Sequence, residues 1–443
     1  MEQNKRRKED VRLNLIIPPN PYLGDDKRNL PLGILYLAAV ARDAGYSVRV
    51  SDLRGKKPET FESAIESSDV YGITASTPDY LRVVKIAKML KERNPDSLRI
   101  LGGIHATALP NEIDSVFNGL VLGEGERALL SILEDYRIGN DSKRIYVGKA
   151  IKDLDTIPFP AREMLPFENV FNENALFYGA GPTASVITSR GCPQKCAFCA
   201  SDSMWKRNLR FRSPDNVFSE IKHIIEKYKI RNFRIMDDTV TANRRRLEEI
   251  CSKLSPLDIR FRVETRVDYI DSDSLSSLKK AGCEEIAYGI ESPTQEVLDI
   301  SRKGITLEQA KKAIKMTHDT GMITRLFFII GLPGETPGYA RRLIDFVEET
   351  KTEAVDLSTF VPYPGCDIYR NPAKYGLKLK NRDFSQYHMT LGLRQGEIDR
   401  EFTFEHDQMS DEQLREESPI FKLKLKCIDF SRFSQNPSTN STL

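Results

Sequence analysis

The sequence alternates short aliphatic and β-branched runs with longer helical patterns over most of its length. From residue 11 the order is RLNLII, PLGILYLAAVARDAG, YSVRVSD, a helix near 59–67, VYGITAS, a helix over 78–94, LRILGG and GLVLGEGERALLSILEDY. Strands buried on both faces give such continuous apolar runs, and helices between them are typical crossovers of a parallel sheet. This pattern predicts a five-stranded α/β, flavodoxin-like doubly wound domain over residues 11–140. Its ligands would lie outside the carboxyl ends of the strands.

A proline-rich stretch, DTIPFPAREMLPFEN, interrupts this alternation and predicts a linker over residues 141–182, since proline disfavours both helices and central strands. The alternation resumes in SVITSRG and NFRIMDD and continues to AVDLSTFVPYPG. Six such units predict a partial (βα)6 barrel over residues 183–365, with function at the carboxyl ends of its strands. Residues 366–443 are predicted to form a small C-terminal segment with a disordered polar tail, SQNPSTNSTL.

Composition excludes several classes of protein. No run of about 18 apolar residues is present, so no transmembrane segment is expected. The charged N-terminus, MEQNKRRKED, does not resemble a secretory signal, which indicates a cytoplasmic protein. Because 66 basic residues nearly balance 64 acidic ones, there is no basic field to attract nucleic acid, and no nucleic-acid partner is expected.

Three cysteines, Cys192, Cys196 and Cys199, lie together in SRGCPQKCAFCAS, directly after a predicted strand. The first 191 residues contain no cysteine and the other four cysteines are scattered, which argues against a disulfide scaffold. Structural zinc usually takes four ligands, and no second knuckle follows here. A redox dithiol would not need the third thiol. An iron-sulfur cluster is therefore favoured, and three thiolates on a 4Fe-4S cube leave one iron open.

The spacing C-x-x-x-C-x-Φ-C, with Phe198 as the aromatic residue, resembles the signature of the radical S-adenosylmethionine (SAM) family. The resemblance extends over the whole second domain, because the six βα units match that family's partial barrel. It implies that SAM chelates the open iron through its amino and carboxylate groups. One electron, supplied by an external donor of ferredoxin or flavodoxin type, would then split SAM into methionine and a 5′-deoxyadenosyl radical.

The same resemblance implies SAM contacts at the ends of the later strands. The stretch MDD takes the place of the segment that receives the SAM amino group, although it lacks the usual glycines, and the glycine in FIIGLPGE would let the backbone approach adenine. Polar groups in RVETR and YGIES would bind the ribose hydroxyls and the methionine carboxylate. The implied SAM contacts are Asp237, Asp238, Glu264, Arg266, Glu291, Ser292 and Gly331.

The first domain resembles the cobalamin-binding domain of one radical SAM subclass. The resemblance rests on the ordered series PLGILYLAAVARDAGYSVRVSD, GITAST, LGGIHAT and VLGEGE, whereas a dinucleotide site would need G-x-G-x-x-G after the first strand. Small residues at the strand ends would let the corrin's nucleotide tail lie along the sheet. The implied cobalamin contacts are Thr74, Ser76, Gly102, Gly103, His105, Gly123 and Glu124.

The usual cobalt-binding motif D-x-H-x-x-G is replaced here by DLRGKK over residues 52–57, with Arg54 at the position of the histidine. A guanidinium stays protonated and cannot ligate cobalt. Two alternatives follow: cobalamin binds without a protein histidine, or the domain is a vestigial scaffold. A third possibility is that His105 ligates cobalt in place of the missing histidine.

These resemblances predict a cobalamin-dependent radical SAM enzyme that methylates an unactivated carbon of a small-molecule, lipid or peptide substrate. A cyclase or rearrangement enzyme without methyl transfer is one alternative. A non-catalytic iron-sulfur or cobalamin sensor is another. Methylthiolation of tRNA is disfavoured, because no cysteine precedes Cys192 to hold a second cluster.

Overall fold

The computed structural model describes residues 6–22, 25–140, 144–172, 181–380, 382–389 and 401–417. These residues contain two six-stranded parallel sheets, each connected by helices, and two short antiparallel ribbons. The α/β architecture expected from the sequence is confirmed. None of the described helices is long and apolar enough to cross a membrane.

The first sheet has the strand order β2-β1-β3-β4-β5-β6, with all neighbours parallel. Its first five strands follow the flavodoxin-like order, as predicted. The strands are β1 (Arg12–Ile17), β2 (Ser47–Asp52), β3 (Val70–Thr74), β4 (Leu98–Gly102), β5 (Gly119–Gly123) and β6 (Ile145–Gly148).

Strand β6 corrects the sequence analysis, which counts five strands and places residues 145–148 in the linker. It is an edge strand that pairs with β5 alone. Its side chains Ile145 and Val147 are exposed, so the segment lacks the continuous apolar run of a central strand.

Helices cover both faces of the first sheet. The first and last pack together on one face through Leu35, Ala39 and Leu129, in a core that continues into the second domain. The third helix buries Val83 and Leu90 in a separate core on the opposite face. The helices are Leu32–Asp43, Phe61–Ala64, Tyr80–Arg93, Ile104–Ala108 and Gly125–Arg137.

The second sheet places its six strands in sequence order, all parallel, which confirms the six βα units. Alternate side chains of its fifth strand pack against the outer helices, as Phe328 does against Phe346. The strands are β7 (Thr183–Val186), β8 (Asn232–Ile235), β9 (Arg260–Thr265), β10 (Cys283–Glu291), β11 (Ile323–Ile330) and β12 (Ala354–Thr359). The helices are Ser201–Trp205, Pro214–Tyr228, Arg244–Leu254, Ser272–Lys280, Gln295–Ile300, Leu307–Asp319 and Tyr339–Thr350.

The segments outside the two sheets pack on both domains, and Phe384 of the C-terminal segment contacts Tyr80 and His105 of the first. In the linker, which contains the short helix Phe167–Val170, the buried Arg162 pairs with Glu220 at 2.7 Å. The C-terminal segment adds the helix Asp367–Arg370 and a ribbon of Leu377–Leu379 with Phe404–His406. The predicted disordered tail, SQNPSTNSTL, lies outside the described residues.

Candidate cofactor-binding site

The loop that carries the three cysteines begins just beyond the carboxyl end of β7 and is anchored there by Asp237. The Asp237 carboxylate, which is buried, accepts hydrogen bonds from the Thr188 amide at 2.6 Å and from the hydroxyls of Thr188 and Ser189 at 2.5 and 2.6 Å. Three donors occupy this carboxylate, so its observed contacts hold the loop. Its predicted contact with SAM stays a prediction.

The second half of the loop is clamped between two other segments. The Ala197 amide donates to the Ser301 carbonyl at 2.8 Å, and the Ile368 amide donates to the Ala197 carbonyl at 3.1 Å. Phe198 is half-buried and packs against the core. Hydrogen bonds from both sides therefore fix the backbone between Cys196 and Cys199.

The three thiols line one small cleft at the surface, and none of them is in a disulfide. Cys192 and Cys196 are half-buried, whereas Cys199 is exposed and its sulfur accepts a hydrogen bond from the Ser201 amide at 3.5 Å. A single zinc ion would require thiolates within roughly 4 Å of one another, since Zn–S bonds are about 2.3 Å. In the described part of the chain, no three His, Cys, Asp or Glu side chains are placed to hold one metal ion. Three free thiols that line one cleft match the donor set of a cluster, which binds each thiolate through a different iron.

Buried charges stand beside this loop at the ends of β9 and β10. The Arg266 guanidinium is 4% exposed, pairs with Asp268 at 2.8 Å and lies 4.0 Å from the Cys196 sulfur. Burial opposes its charge, but the pair with Asp268 outweighs burial and raises the pKa of Arg266. Arg266 also donates to the Lys303 carbonyl at 2.9 Å, and the Lys303 ammonium pairs with Glu291 at 2.8 Å. A fixed positive charge beside Cys196 suits a thiolate ligand.

The hydroxyl of the fully buried Ser292 lies 3.5 Å from the carboxylate of Glu335, which in turn pairs with Arg342 at 2.7 Å. Burial raises the pKa of Glu335. Neither Lys303 nor Glu335 was predicted from the sequence to be a site residue. The only signal for Glu335 is its place after the glycines of GLPGE.

Two predicted SAM contacts lie in other surroundings. Glu264 pairs with Arg234 at 2.8 Å and with Arg262 at 3.4 Å, in a row of charges across the second sheet. Gly331 has φ +85°, and a side chain there would begin 3.2 Å from Leu414 of the C-terminal segment. The roles predicted for both residues remain predictions.

A cavity of about 420 Å³ lies between the two domains. The first domain contributes the carboxyl ends of its strands, and the second contributes the start of the cysteine loop and the end of β8. Trp205, the single tryptophan of the chain, also lines the cavity. Six residues selected from the sequence line it: Thr74, Gly102, Gly103, Gly123, Glu124 and Asp238.

Glycines shape the first-domain side of this cavity. Gly103 has φ +94°, and a Cβ there would lie 2.6 Å from the Thr74 hydroxyl, so only glycine fits. Gly33 differs, because a Cβ there would meet nothing within 4 Å. A Cβ at Gly102 would make only ordinary contact with Val121 at 3.6 Å. The missing side chains at positions 33 and 102 leave open volume, which fits a large, flat ligand such as a corrin.

Glu124 joins the two domains at the edge of the cavity. Its carboxylate pairs with Arg190 at 3.2 Å and with Arg210 at 2.6 Å, and Arg190 also pairs with Glu126 at 2.6 Å. All four side chains are less than a tenth exposed. Because Arg190 precedes Gly191 and Cys192, this network ties the cysteine loop to the first domain.

Two predicted cobalamin contacts, Ser76 and His105, are not among the residues that line the cavity. Ser76 donates to Asp79. His105 is fully buried and stacks on Tyr80 with ring centroids 4.1 Å apart, and burial lowers its pKa to about 4. Arg54, at the position of the usual cobalt ligand, is buried and pairs with Asp52 at 2.7 Å.

Family models match both domains. Residues 28–133 match the B12 binding domain, and residues 186–347 match the radical SAM superfamily. The second domain of the chain is a radical SAM domain. A B12 binding domain precedes it, so the cofactors of the chain are a 4Fe-4S cluster, SAM and cobalamin.

Two curated relatives and one solved structure resemble the chain over most of its length. An uncharacterized methyltransferase of Pyrococcus horikoshii is 28% identical over 76% of this chain and 77% of the relative. The anaerobic magnesium-protoporphyrin IX monomethyl ester cyclase of Rubrivivax gelatinosus is 26% identical over 82% of this chain and 69% of the relative. The radical SAM methyltransferase TsrM of Kitasatospora setae, solved with cobalamin and a [4Fe-4S] cluster, is 18% identical, with a TM-score of 0.64 over 87% of this chain and 83% of that chain. The last likeness shows a shared fold.

Proposed function

We propose that the chain is a cobalamin-dependent radical SAM methyltransferase that methylates an unactivated carbon. One observation carries this proposal: the start of the cysteine loop and the glycine-lined strand ends of the B12 domain face the same cavity. When bound, the cofactors supply one-electron cleavage of SAM and a transferable methyl group. Methyl transfer to carbon requires both to reach one substrate, and a shared cavity allows this.

The protein's own residues hold the parts in place. We propose that Cys192, Cys196 and Cys199 ligate the cluster and that Arg266 stabilises the negative charge of the Cys196 thiolate beside it. The ion pair with Lys303 holds the Glu291 carboxylate in place at the end of β10, where the resemblance to the family implies a SAM contact. Leu37, Val121 and Trp205 give the cavity an apolar lining that limits access of water to a reactive centre.

The glycine-lined wall and the ion pairs have separate roles in this proposal. The glycine positions of the first domain would receive the corrin and its nucleotide tail, with Thr74 as a polar contact. The pairs from Arg190 to Glu124 and Glu126 would keep the cysteine loop at a fixed distance from that wall. No imidazole lines the cavity among the described residues, which favours cobalamin binding without a protein histidine.

The test uses anaerobically reconstituted protein with hydroxocobalamin, dithionite, a cell extract and SAM that carries a deuterated methyl group, so that every methyl group on cobalt comes from SAM. We expect 5′-deoxyadenosine, together with a product that gains one labelled methyl group by mass spectrometry. A protein that retains its cofactors but forms no 5′-deoxyadenosine would be a sensor, and the proposal would be wrong.

A cyclase is the second candidate, because the Rubrivivax cyclase is similar over 82% of the chain. A cyclase would form 5′-deoxyadenosine and change its substrate without incorporating the label. The labelled methyl group therefore separates the two activities in one experiment.

A further inference from the structure

The three thiols line a cleft that shares no lining residue with the interdomain cavity. Cys199, an exposed residue, lies in it. The proposed cluster would therefore come close to the protein surface here.

The rim of this cleft carries a local excess of positive charge. Four basic side chains, Lys195, Arg207, Arg302 and Arg370, line it with only two acidic ones. Both acids are already paired, Asp202 with Arg207 at 3.3 Å and Asp367 with Arg302.

Two of the basic side chains remain free to meet a partner. Lys195 and Arg370 are exposed, and neither side chain has a hydrogen bond or ion pair within the described residues. Since the whole chain carries a net charge of only +2, this patch is not a consequence of a generally basic surface.

We propose that this basic rim is the docking surface for an acidic one-electron donor protein of ferredoxin type. The inference rests on the proposed function, because that function requires the cluster to be reduced. A patch of one sign steers an oppositely charged partner during encounter, so the excess of basic side chains on this rim suits an acidic protein. In the electron-transfer step the ferredoxin loses one electron and is oxidised, and the cluster held by the cysteines gains it. No bond forms and no proton moves.

The loop connections explain why these particular residues surround the thiols. The Ser301 carbonyl and the Ile368 amide both bond to Ala197 between Cys196 and Cys199, so Arg302 and Arg370 are brought to the loop by the backbone. The C-terminal segment thereby contributes part of a surface that the radical SAM domain alone would leave incomplete.

The experiment measures binding of an acidic oxidised [2Fe-2S] ferredoxin to the reconstituted holoprotein by calorimetry at low salt. Lys195→Glu/Arg370→Glu is compared with Lys85→Glu/Lys91→Glu, which makes the same charge change at exposed positions of the helix Tyr80–Arg93. We expect the first variant to weaken binding about ten-fold or more and the control less than about two-fold. Wild-type binding should also weaken as salt is raised from low to physiological ionic strength.

A second readout separates this inference from the proposed function. Reduced ferredoxin should bleach the cluster more slowly in Lys195→Glu/Arg370→Glu, whereas dithionite should reduce wild type and variant alike. Equal ferredoxin affinity in the wild type and this variant, or equal loss in the control, would place the docking surface elsewhere. Absence of SAM cleavage with dithionite in the wild type would instead contradict the proposed function. The comparison of ferredoxin affinities would still test the docking surface.

Discussion

The two parallel sheets end in opposite kinds of edge. The carboxyl edge of the first sheet, here called the glycine edge, consists of Thr74, Gly102, Gly103 and Gly123. The carboxyl edge of the second, here called the charged edge, holds the buried residues Arg266, Ser292 and Lys303 and the partly buried Glu291.

The difference indicates two kinds of ligand. A surface without side chains offers close contact and open volume but little charge, which suits a bulky ring system. Buried ion pairs are poor sources of stability because of their desolvation cost. Their concentration at one edge beside a free cysteine loop is better explained by a charged ligand such as the amino acid part of SAM.

The largest effect is expected from Cys196→Ala, since a two-thiolate site should not retain the cluster. Iron content, the visible absorbance of the cluster and SAM cleavage should all fall to background. Cys251→Ala is the matched control, because Cys251 is a buried cysteine on the helix Arg244–Leu254, and it should leave all three unchanged. A cluster retained in Cys196→Ala would favour a different metal site.

A reciprocal pair of variants tests the two edges against each other. Gly33→Leu fills open volume by the glycine edge and should weaken corrinoid binding by about a hundred-fold, with SAM binding unchanged. Because leucine forms helix better than glycine, thermal stability should not fall. Lys303→Met, which leaves Glu291 without its partner, should weaken SAM binding by about ten-fold or more and spare the corrinoid.

Equilibrium dialysis of both ligands against both variants provides the measurement. If one variant lost both affinities while remaining folded, the two edges would not act as separate sites.

Removing one partner of the buried ion pairs between the domains should destabilise the protein, because it leaves a buried charge uncompensated. Arg190→Gln leaves Glu126 without its partner and Glu124 with Arg210 alone, so we expect a loss of about 3 kcal/mol. Calorimetric unfolding of the wild type and the variant measures this. Arg137→Gln, which breaks a half-exposed pair with Glu134, is the control and should cost less than about 1 kcal/mol.

The smallest effect on cofactor binding is expected at His105, which packs outside the cavity. His105→Phe should change corrinoid affinity less than about two-fold, since phenylalanine can stack on Tyr80 in its place. A loss of corrinoid affinity of more than about ten-fold, with the fold intact, would indicate that His105 ligates cobalt.

The same variant also tests a pH effect. Burial lowers the pKa of His105 to about 4, so below pH 6.5 the unfolded chain takes up a proton that the folded protein does not. This proton uptake by the unfolded chain should lower the free energy of unfolding by about 2 kcal/mol between pH 7 and pH 5. The loss should be absent in His105→Phe when unfolding is followed across this range. An unchanged pH dependence would contradict the buried neutral imidazole.

Local pattern explains what the sequence could predict. Apolar runs identified eleven of the twelve strands of the two sheets, and the cysteine spacing identified the loop, because both signals lie within a few neighbouring residues. Strand β6 was missed since an edge strand exposes half its side chains. Arg190 and Glu126 are 64 residues apart in the sequence, so no local pattern predicts their ion pair. Asp237 shows another limit. The sequence places this carboxylate at a strand end, but it does not distinguish a carboxylate that binds a ligand from one that anchors a loop.

We propose that a corrinoid binds at the glycine edge, in the cavity that the cysteine loop also borders. Trp205, the single tryptophan of the chain, lines this cavity. We therefore predict that titration with hydroxocobalamin quenches the tryptophan fluorescence with a one-to-one endpoint, and that Gly33→Leu abolishes the quenching. Stoichiometric binding that leaves Trp205 emission unchanged would contradict the account, because the corrinoid would then bind elsewhere.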